Sequence, residues 1–345
     1  MVRVGIVGSR FSAGLHAQAY QRTGKVELVA ASAIDNLNEF CRKYRIADSC
    51  RDFREMLKRD DIELVSVCVP NFLHKEVVIA AAESGKHVIC EKPLATRVED
   101  AREMLRAARK NRVKLMYAED WIFAPALRRA KSICDEGAIG QVLYLKAKET
   151  HPGSHSLYAQ KIEYCGGGAM IHLAIHSIGF VRWFKGKEVV EVVGKVSGGA
   201  RDNLKHHNFE GEDWGVGILT FEDKSQALVE GNYITCGGLD DVVEIYGSKG
   251  VIKIDLTQGS PLSVYSLDGY SYAIEKAEMT KGWTKPAVDE EASLGYIDEI
   301  AHFVDCVAED KEPQPGMRGE DGLKALEVTM AIYKSAQEGR TIKIR

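Results

Sequence analysis

Val65-Ser-Val-Cys-Val-Pro-Asn-Phe-Leu-His74, followed by residues 75–84 and then by Gly85-Lys-His-Val-Ile-Cys-Glu-Lys-Pro93, decides the fold. The stretch reads as a buried strand, a turn at Pro70-Asn71, a helix through the apolar run 77–82 and a second buried strand at 87–90. A strand, helix and strand in succession form a βαβ unit, which implies a parallel sheet. Ligands of open parallel sheets bind outside the carboxyl ends of the strands. Pro70-Asn71 stands at one such end and Glu91-Lys92-Pro93 at the next, so both face one crevice. A lysine whose ammonium is partly desolvated titrates nearer neutrality and can act as a base, while an adjacent carboxylate opposes that shift. Lys92 beside Glu91 therefore suits proton transfer; the alternative is a strand-end lysine on a solvated surface. Pro93 restricts the residue before it to extended conformations and permits a cis bond there.

Toward the amino terminus, Val2-Arg-Val-Gly-Ile-Val-Gly8 is a short buried strand, and Ser9-Arg10-Phe11-Ser12-Ala13-Gly14 leads into a helical pattern over 15–22. A dinucleotide pyrophosphate binds at such a turn, on the amides of the first helical turn. The glycine fingerprint is partial: Gly8 takes its first place, Arg10 the second and Ala13 the third, with Gly14 one residue late. Alanine is tolerated at the third place, whereas Arg10 brings a side chain where bare backbone approaches phosphate. Gly8, Ser9, Arg10, Phe11, Ser12 and Ala13 are nevertheless read as a cofactor cradle, because further βα alternation follows; a plain strand-to-helix turn is the alternative. The second strand, 26–32, ends at Ser32 and Ala33, where an NAD-binding protein carries an acid for the ribose hydroxyls. Asp35 follows two residues later, as a helix cap for 36–44. With Ser9, Arg10 and Ser32 close by, a 2′-phosphate is also accommodated, so NAD and NADP both stay open, with NAD preferred.

Residues 51–58 and 98–110 read as helices and 62–69 and 113–117 as strands, which completes a doubly wound sheet. Glu119-Asp120-Trp121 ends this part, and Pro125 fits the first turn of a helix through Cys134. From Gly140 the pattern changes to longer strands at 142–150, 189–197, 216–221, 225–233, 241–246 and 251–255, joined by turns such as Glu222-Asp223-Lys224. The expected fold is α/β: an amino-terminal Rossmann doubly wound parallel sheet in residues 1–122, then a carboxy-terminal α+β domain in 123–345 with a large open, mostly antiparallel sheet. The last helices, near 297–307 and 322–339, are expected to pack back on the first domain, and 281–291 reads as a loose connecting loop.

The 345 residues exceed what one ordinary domain needs, and 45% hydrophobic with 28% charged residues at net charge −4 is a soluble composition. It carries no bias toward nucleic acid or anionic membranes, which leaves a small molecule as the partner. The eight cysteines are scattered without a Cys-x-x-Cys spacing, several inside apolar strands, and read as reduced thiols. Met1 runs directly into a strand and no long apolar span occurs, so the expected location is the cytoplasm.

Pro70-Asn71 with His74, then Gly85-Lys86-His87-Val88 leading into Glu91-Lys92-Pro93, resembles the signature of the Gfo/Idh/MocA family, named for glucose-fructose oxidoreductase, inositol dehydrogenase and rhizopine catabolism. Tyr246-Gly-Ser-Lys-Gly250 and the carboxy-terminal helix pair are similar to it as well. The resemblance implies an NAD(P)-dependent oxidoreductase of a sugar, cyclitol or glycoside, with Lys92 catalytic and Pro70, Asn71, His74, Glu91 and Lys92 at the cofactor. It also implies homodimers or homotetramers through the open sheet.

Gly166-Gly-Gly-Ala-Met-Ile-His172-Leu-Ala-Ile-His176 is a glycine turn that becomes a helix, with His172 and His176 on one face. His176 matches the family's histidine, but His172 stands where the family has Asp, Ala174 where it has Gly, and Gly179 where it has a further acid. Alcohol oxidation needs a base for the hydroxyl proton while hydride leaves, and imidazole titrates near physiological pH. Lys92 and His176 are assigned a proton relay, with His172 orienting the substrate hydroxyl or joining the relay. Two histidines four apart could also share a zinc or manganese ion with His151, His155, His206 or His207; the expectation is no metal. Trp121, Tyr158, Asn203 and Trp214 are the expected substrate contacts, since a sugar takes hydrogen bonds and one aromatic face. Two rivals stand beside this reading: cleavage of a glycoside by transient oxidation and elimination, and a non-catalytic cofactor-binding regulator.

Overall fold

The computed structural model describes residues 1–154, 156–257, 264–266, 282–284 and 290–344, in two units: Met1–Phe123 with Gly295–Lys324, and Ala124–Leu294 with Ala325–Arg345. In the first, strands β1 (Val2–Val7), β2 (Val26–Ser32), β3 (Asp48–Cys50), β4 (Leu64–Val67), β5 (His87–Cys90) and β6 (Leu115–Tyr117) alternate with helices α1 (Phe11–Thr23), α2 (Leu37–Tyr44), α3 (Phe53–Leu57), α4 (His74–Glu83) and α5 (Val98–Asn111). All the strand pairs are parallel, in the order β3-β2-β1-β4-β5-β6. β4 is buried along its whole length, because helices cover both faces of such a sheet, and its sequence is therefore a continuous run instead of an alternation. The strand order reverses between β1 and β4, the place where ligands of doubly wound sheets bind.

Two local readings are corrected here. β3 is a three-residue edge strand of polar, part-exposed residues, so no apolar pattern announces it. α2 starts at Leu37 with Asn36 as its cap in the left-handed region and no capping side chain; Asp35 is taken up elsewhere, as described below. The segment from Gly295 adds the helix Tyr296–Ala308, which buries Ile300, Phe303 and Val304 and packs against α1.

The second unit holds α6 (Pro125–Asp135), β7 (Val142–Thr150), α7 (Ile162–Cys165), α8 (Ala169–His172), α9 (Ala174–Lys185), β8 (Val189–Val196), β9 (Trp214–Phe221), β10 (Gln226–Asn232), β11 (Val242–Gly247), β12 (Val251–Asp255), β13 (Val264–Ser266), β14 (Gly282–Thr284) and α10 (Glu290–Leu294). The Tyr296–Ala308 helix is α11; α12 (Gly319–Glu338) contributes its later turns to this unit, and β15 (Ile342–Lys343) closes the sheet edge. The large sheet runs β12-β11-β7-β10-β9-β8-β15. Only β7 and β10 pair in parallel; every other neighbour is antiparallel.

One face, with Leu145, Ala147, Ala227, Val229, Leu219, Val243 and Ile245, is buried, and α9 packs on its β7 and β10 strands. The opposite face carries Val193 and Ile218, 45% and 43% exposed. Most of the expected loop at 281–291 lies outside the described residues; within them it holds β14, paired with β13, and the start of α10. Among the described residues no single helix is long and apolar enough to cross a membrane.

Candidate active site

The carboxyl ends of β2, β1, β4 and β5 lie side by side at the strand order reversal and its two neighbours. At the end of β1, Gly8 has φ +130°, and a Cβ on it would stand 2.2 Å from the Cys68 carbonyl oxygen after β4. Only glycine permits this approach of the two backbones. α1 begins immediately, with no acidic residue in its first turn and no side chain capping it, so the positive end of its dipole is directed at the turn. Gly8, Ser9, Phe11, Ser12 and Ala13 thus form a cradle that fits a dinucleotide pyrophosphate. Arg10 does not obstruct it: its side chain is exposed and pairs with Asp35, Nε lying 3.1 Å from Oδ2. Ser9 Oγ donates to the Asp35 carbonyl at 2.7 Å. Asp35 is therefore engaged by the turn after β1, and is not the expected cap.

At the ends of β4 and β5, Pro70, Asn71 and Lys92 are half-buried, and Lys92-Pro93 is a cis peptide. Glu91 and His74, also expected at the cofactor, are buried and brace these two turns. The Glu91 carboxylate is buried and fully engaged: Oε1 lies 3.1 Å from His16 Nε2 and Oε2 accepts the Lys92 amide at 3.1 Å. His74 is completely buried; Nδ1 lies 3.0 Å from the Pro93 carbonyl and Nε2 3.0 Å from that of Val69. It ties the Pro70-Asn71 turn to the Glu91-Lys92-Pro93 turn. Burial pushes the His74 pKa down, against the pull of those carbonyls and of Glu91.

In the second unit the glycine turn is rigidly seated. A Cβ at Gly168 would fall 2.0 Å from the Glu212 carbonyl oxygen and one at Gly231 of β10 2.5 Å from that of Ala169, so both must be glycine for α8 to rest on the sheet. Glu212 Oε1 accepts the Met170 amide and the Tyr333 hydroxyl, each at 2.8 Å, and Tyr333 Oη in turn accepts the amides of Gly168 and Ile171 at 3.2 Å.

The segment is not one helix. It breaks at Leu173, with a 52° bend between the flanking helices, and this gives the two histidines different partners. His172 Nδ1 hydrogen-bonds the Tyr233 hydroxyl; buried His176 has its Nε2 3.7 Å from Oε2 of buried Glu149. Tyr233 and Glu149 went unnoticed in the sequence, since each sits at the last residues of a strand or just beyond it and nothing local marks it.

The expected substrate contacts divide. Asn203 is buried, and its amide is spent on its own loop: Nδ2 donates to the carbonyls of His206, Phe209 and Gly211, and Oδ1 accepts from Ser197 and the Asp213 amide. Asp213, though buried, stays below the usual carboxylate range because the amides of His206, Leu204 and Lys205 outweigh its desolvation. That loop is organised around itself, and the Asn203 side chain belongs to its internal network. Trp121 is buried to 1% exposure, and its ring is withdrawn from solvent. Tyr158 and Trp214 are half-buried.

Of the additional histidines considered as metal ligands, His206 bonds the Tyr233 carbonyl through Nε2 at 2.8 Å and stacks on Phe209, His207 is exposed, His151 is buried against Tyr233, and His155 lies outside the described residues. All eight cysteines are free thiols.

Comparison with known proteins gives a family model described as oxidoreductase family, NAD-binding Rossmann fold, over residues 2–119, and a second described as oxidoreductase family, C-terminal alpha/beta domain, over residues 131–344. The chain is 26% identical over 350 residues to myo-inositol 2-dehydrogenase of Thermotoga maritima, covering 99% of this chain and 98% of that one. It is 30% identical over 325 residues to 2,7-anhydro-N-acetylneuraminate hydratase of Mediterraneibacter gnavus, covering 85% and 83%. Among solved structures, levoglucosan dehydrogenase in complex with NADH is similar with a TM-score of 0.84 at 25% identity, over 100% of this chain and 99% of that one.

Proposed function

Because the chain belongs to the Gfo/Idh/MocA oxidoreductase family, we propose that it interconverts a secondary hydroxyl and a ketone on a sugar, cyclitol or glycoside. NAD, when bound in the cradle at Gly8–Ala13, supplies the hydride acceptor. The observation that carries the reading is the placement of Lys92 at the carboxyl end of β5, next to the strand β4 that borders the reversal, its backbone held by a carboxylate whose two oxygens are both engaged. Lys92 is the base for the hydroxyl proton, and His176, 3.7 Å from Glu149, is the second acid-base group. His172, tethered by Tyr233, orients the substrate, and Tyr158 and Trp214 remain the proposed sugar contacts.

NAD is preferred over NADP because Asp35 already matches the charge of Arg10, and its carboxylate repels a 2′-phosphate. Replacing Asp35 with Ser is expected to raise the NADP-to-NAD ratio of kcat/KM. On the open sheet face, Val193, Ile218 and Leu228 stand in register across three strands; we assign this row to a homodimer or homotetramer contact. Ile218→Glu should then lower the sedimenting mass. Free thiols throughout fit a reducing cytoplasm.

The test is a panel of sugars, inositols and glycosides assayed for reduced nucleotide. Lys92→Ala and His176→Ala are each expected to lower kcat by about 10²–10⁴-fold, with dinucleotide affinity nearly intact and with non-additive effects when combined. Full turnover in either variant would refute its role. Nucleotide retained through purification with no net reduction would point to oxidation and elimination instead.

A further inference from the structure

The Glu91 carboxylate stands at the end of a buried relay that reaches back into α1. His16 is fully buried; beyond Glu91 at its Nε2, its Nδ1 lies 3.1 Å from Ser66 Oγ of β4, and Ser66 Oγ lies 2.6 Å from the hydroxyl of Tyr20. The directions follow by exclusion. An ionised carboxylate only accepts, so Nε2 carries the hydrogen; in the neutral ring Nδ1 then accepts from Ser66, and Ser66 from Tyr20. Each hydrogen along the chain is used once, which is what a buried polar network requires. The far oxygen of Glu91 accepts the Lys92 amide, so the relay ends on the backbone of the proposed proton carrier.

We propose that His16 is a positioning residue for Lys92: through Glu91 it holds the lysine backbone in place and sets the pH range of turnover. This rests on the assignment of Lys92 above. The groups that face Glu91 are His16 of α1, Cys68 just after β4, His74 of α4, Cys90 of β5, Lys92, Tyr117 of β6 and Glu299 of α11, with Ser66 and Tyr20 on the far side of His16. Burial alone would raise the Glu91 carboxyl; the hydrogen bond from His16, together with the charge and amide of Lys92, brings it below the usual range. Without His16, burial prevails, and the carboxyl is protonated over a wider span of acid pH.

The experiment compares pH profiles of kcat/KM for the wild type, His16→Leu, His16→Gln and Lys92→Ala. In His16→Leu the acid limb is expected to move to higher pH by about one unit and kcat to fall about 10-fold or more, with the dinucleotide KM little changed. Gln donates to Glu91 through its amide nitrogen and accepts from Ser66 through its oxygen, so His16→Gln is expected to restore the wild-type limb. An unmoved limb in folded His16→Leu, or a His16→Gln enzyme as shifted as His16→Leu, would overturn the proposal. Nitrogen NMR of histidine-labelled wild type needs no variant: it should show the His16 ring protonated at Nε2 and bare at Nδ1, and the opposite tautomer would refute the relay. Activity retained in Lys92→Ala would remove the role of Lys92 itself, whereas a dead Lys92→Ala with an unshifted His16→Leu would remove only that of His16.

Discussion

Glu91 in the first unit and Glu212 in the second are equally buried, at 7% and 6% exposure, and each holds the segment that bears a proposed catalytic group. Glu91 meets an imidazole and a lysine, and its carboxyl is held below the usual range. Glu212 meets neutral donors, the Met170 amide and the Tyr333 hydroxyl, and burial pushes it up to about 7. Burial is common to both, so the partner decides whether the group is an anion. One strut is built to work charged; the other holds its turn best when protonated.

The largest expected effect comes from removing the space that Glu212's strand entry shares with the glycine turn. Gly168→Ala should cost about 4 kcal/mol in urea unfolding, since the neighbour it meets is backbone and cannot move aside. Next is the pH dependence of Glu212. Its folded pKa lies above the unfolded 4.5, so its contribution is fully present below pH 4.5 and lost as pH rises through about 7. That shift amounts to about 3 kcal/mol, and Glu212→Gln should remove it, leaving the variant more stable than the wild type at pH 8.5.

The opposite sign is expected at Glu91. Its folded pKa lies below 4.5, so its contribution is present above that pH and lost as pH falls through the folded value. Glu91→Gln should therefore cost about 2 kcal/mol at pH 7 and progressively less in acid. Wild-type-minus-variant stability curves of like slope at the two sites would break the comparison. The smallest effect is that of Tyr333→Phe, about 1.5 kcal/mol for the lost hydroxyl, with the Glu212 titration moving further up because a donor to its carboxylate is gone.

Sequence reading succeeded where one residue's neighbours along the chain also decide its environment. The apolar run at 65–69 starts in β4, which ends at Val67, and 87–90 is β5, because burial on both faces leaves no alternation to obscure them. β2, β7 and β12 begin and end where the pattern placed them. Gly8 was recognisable as a turn glycine, and its close approach to Cys68 shows why. Reading failed where the partner is remote in sequence. Asp35 looked like a cap until Arg10 and Ser9 claimed it. The engagement of Asn203 by Asp213 and three carbonyls of its own loop was equally hidden. His16 showed nothing at all, as its partners are 50 and 75 residues away.

Local periodicity and turn chemistry were enough to determine a doubly wound parallel sheet followed by an open antiparallel one, and the resemblance of the chain's motifs to a known family picked Lys92 and His176 as the groups to test. The tertiary structure decided which charges are spent as struts, where the helix bearing His172 and His176 breaks, and which of two buried glutamates is ionised. Those outcomes depend on desolvation and on hydrogen bonds between strands and helices far apart in the chain, and a linear pattern contains neither.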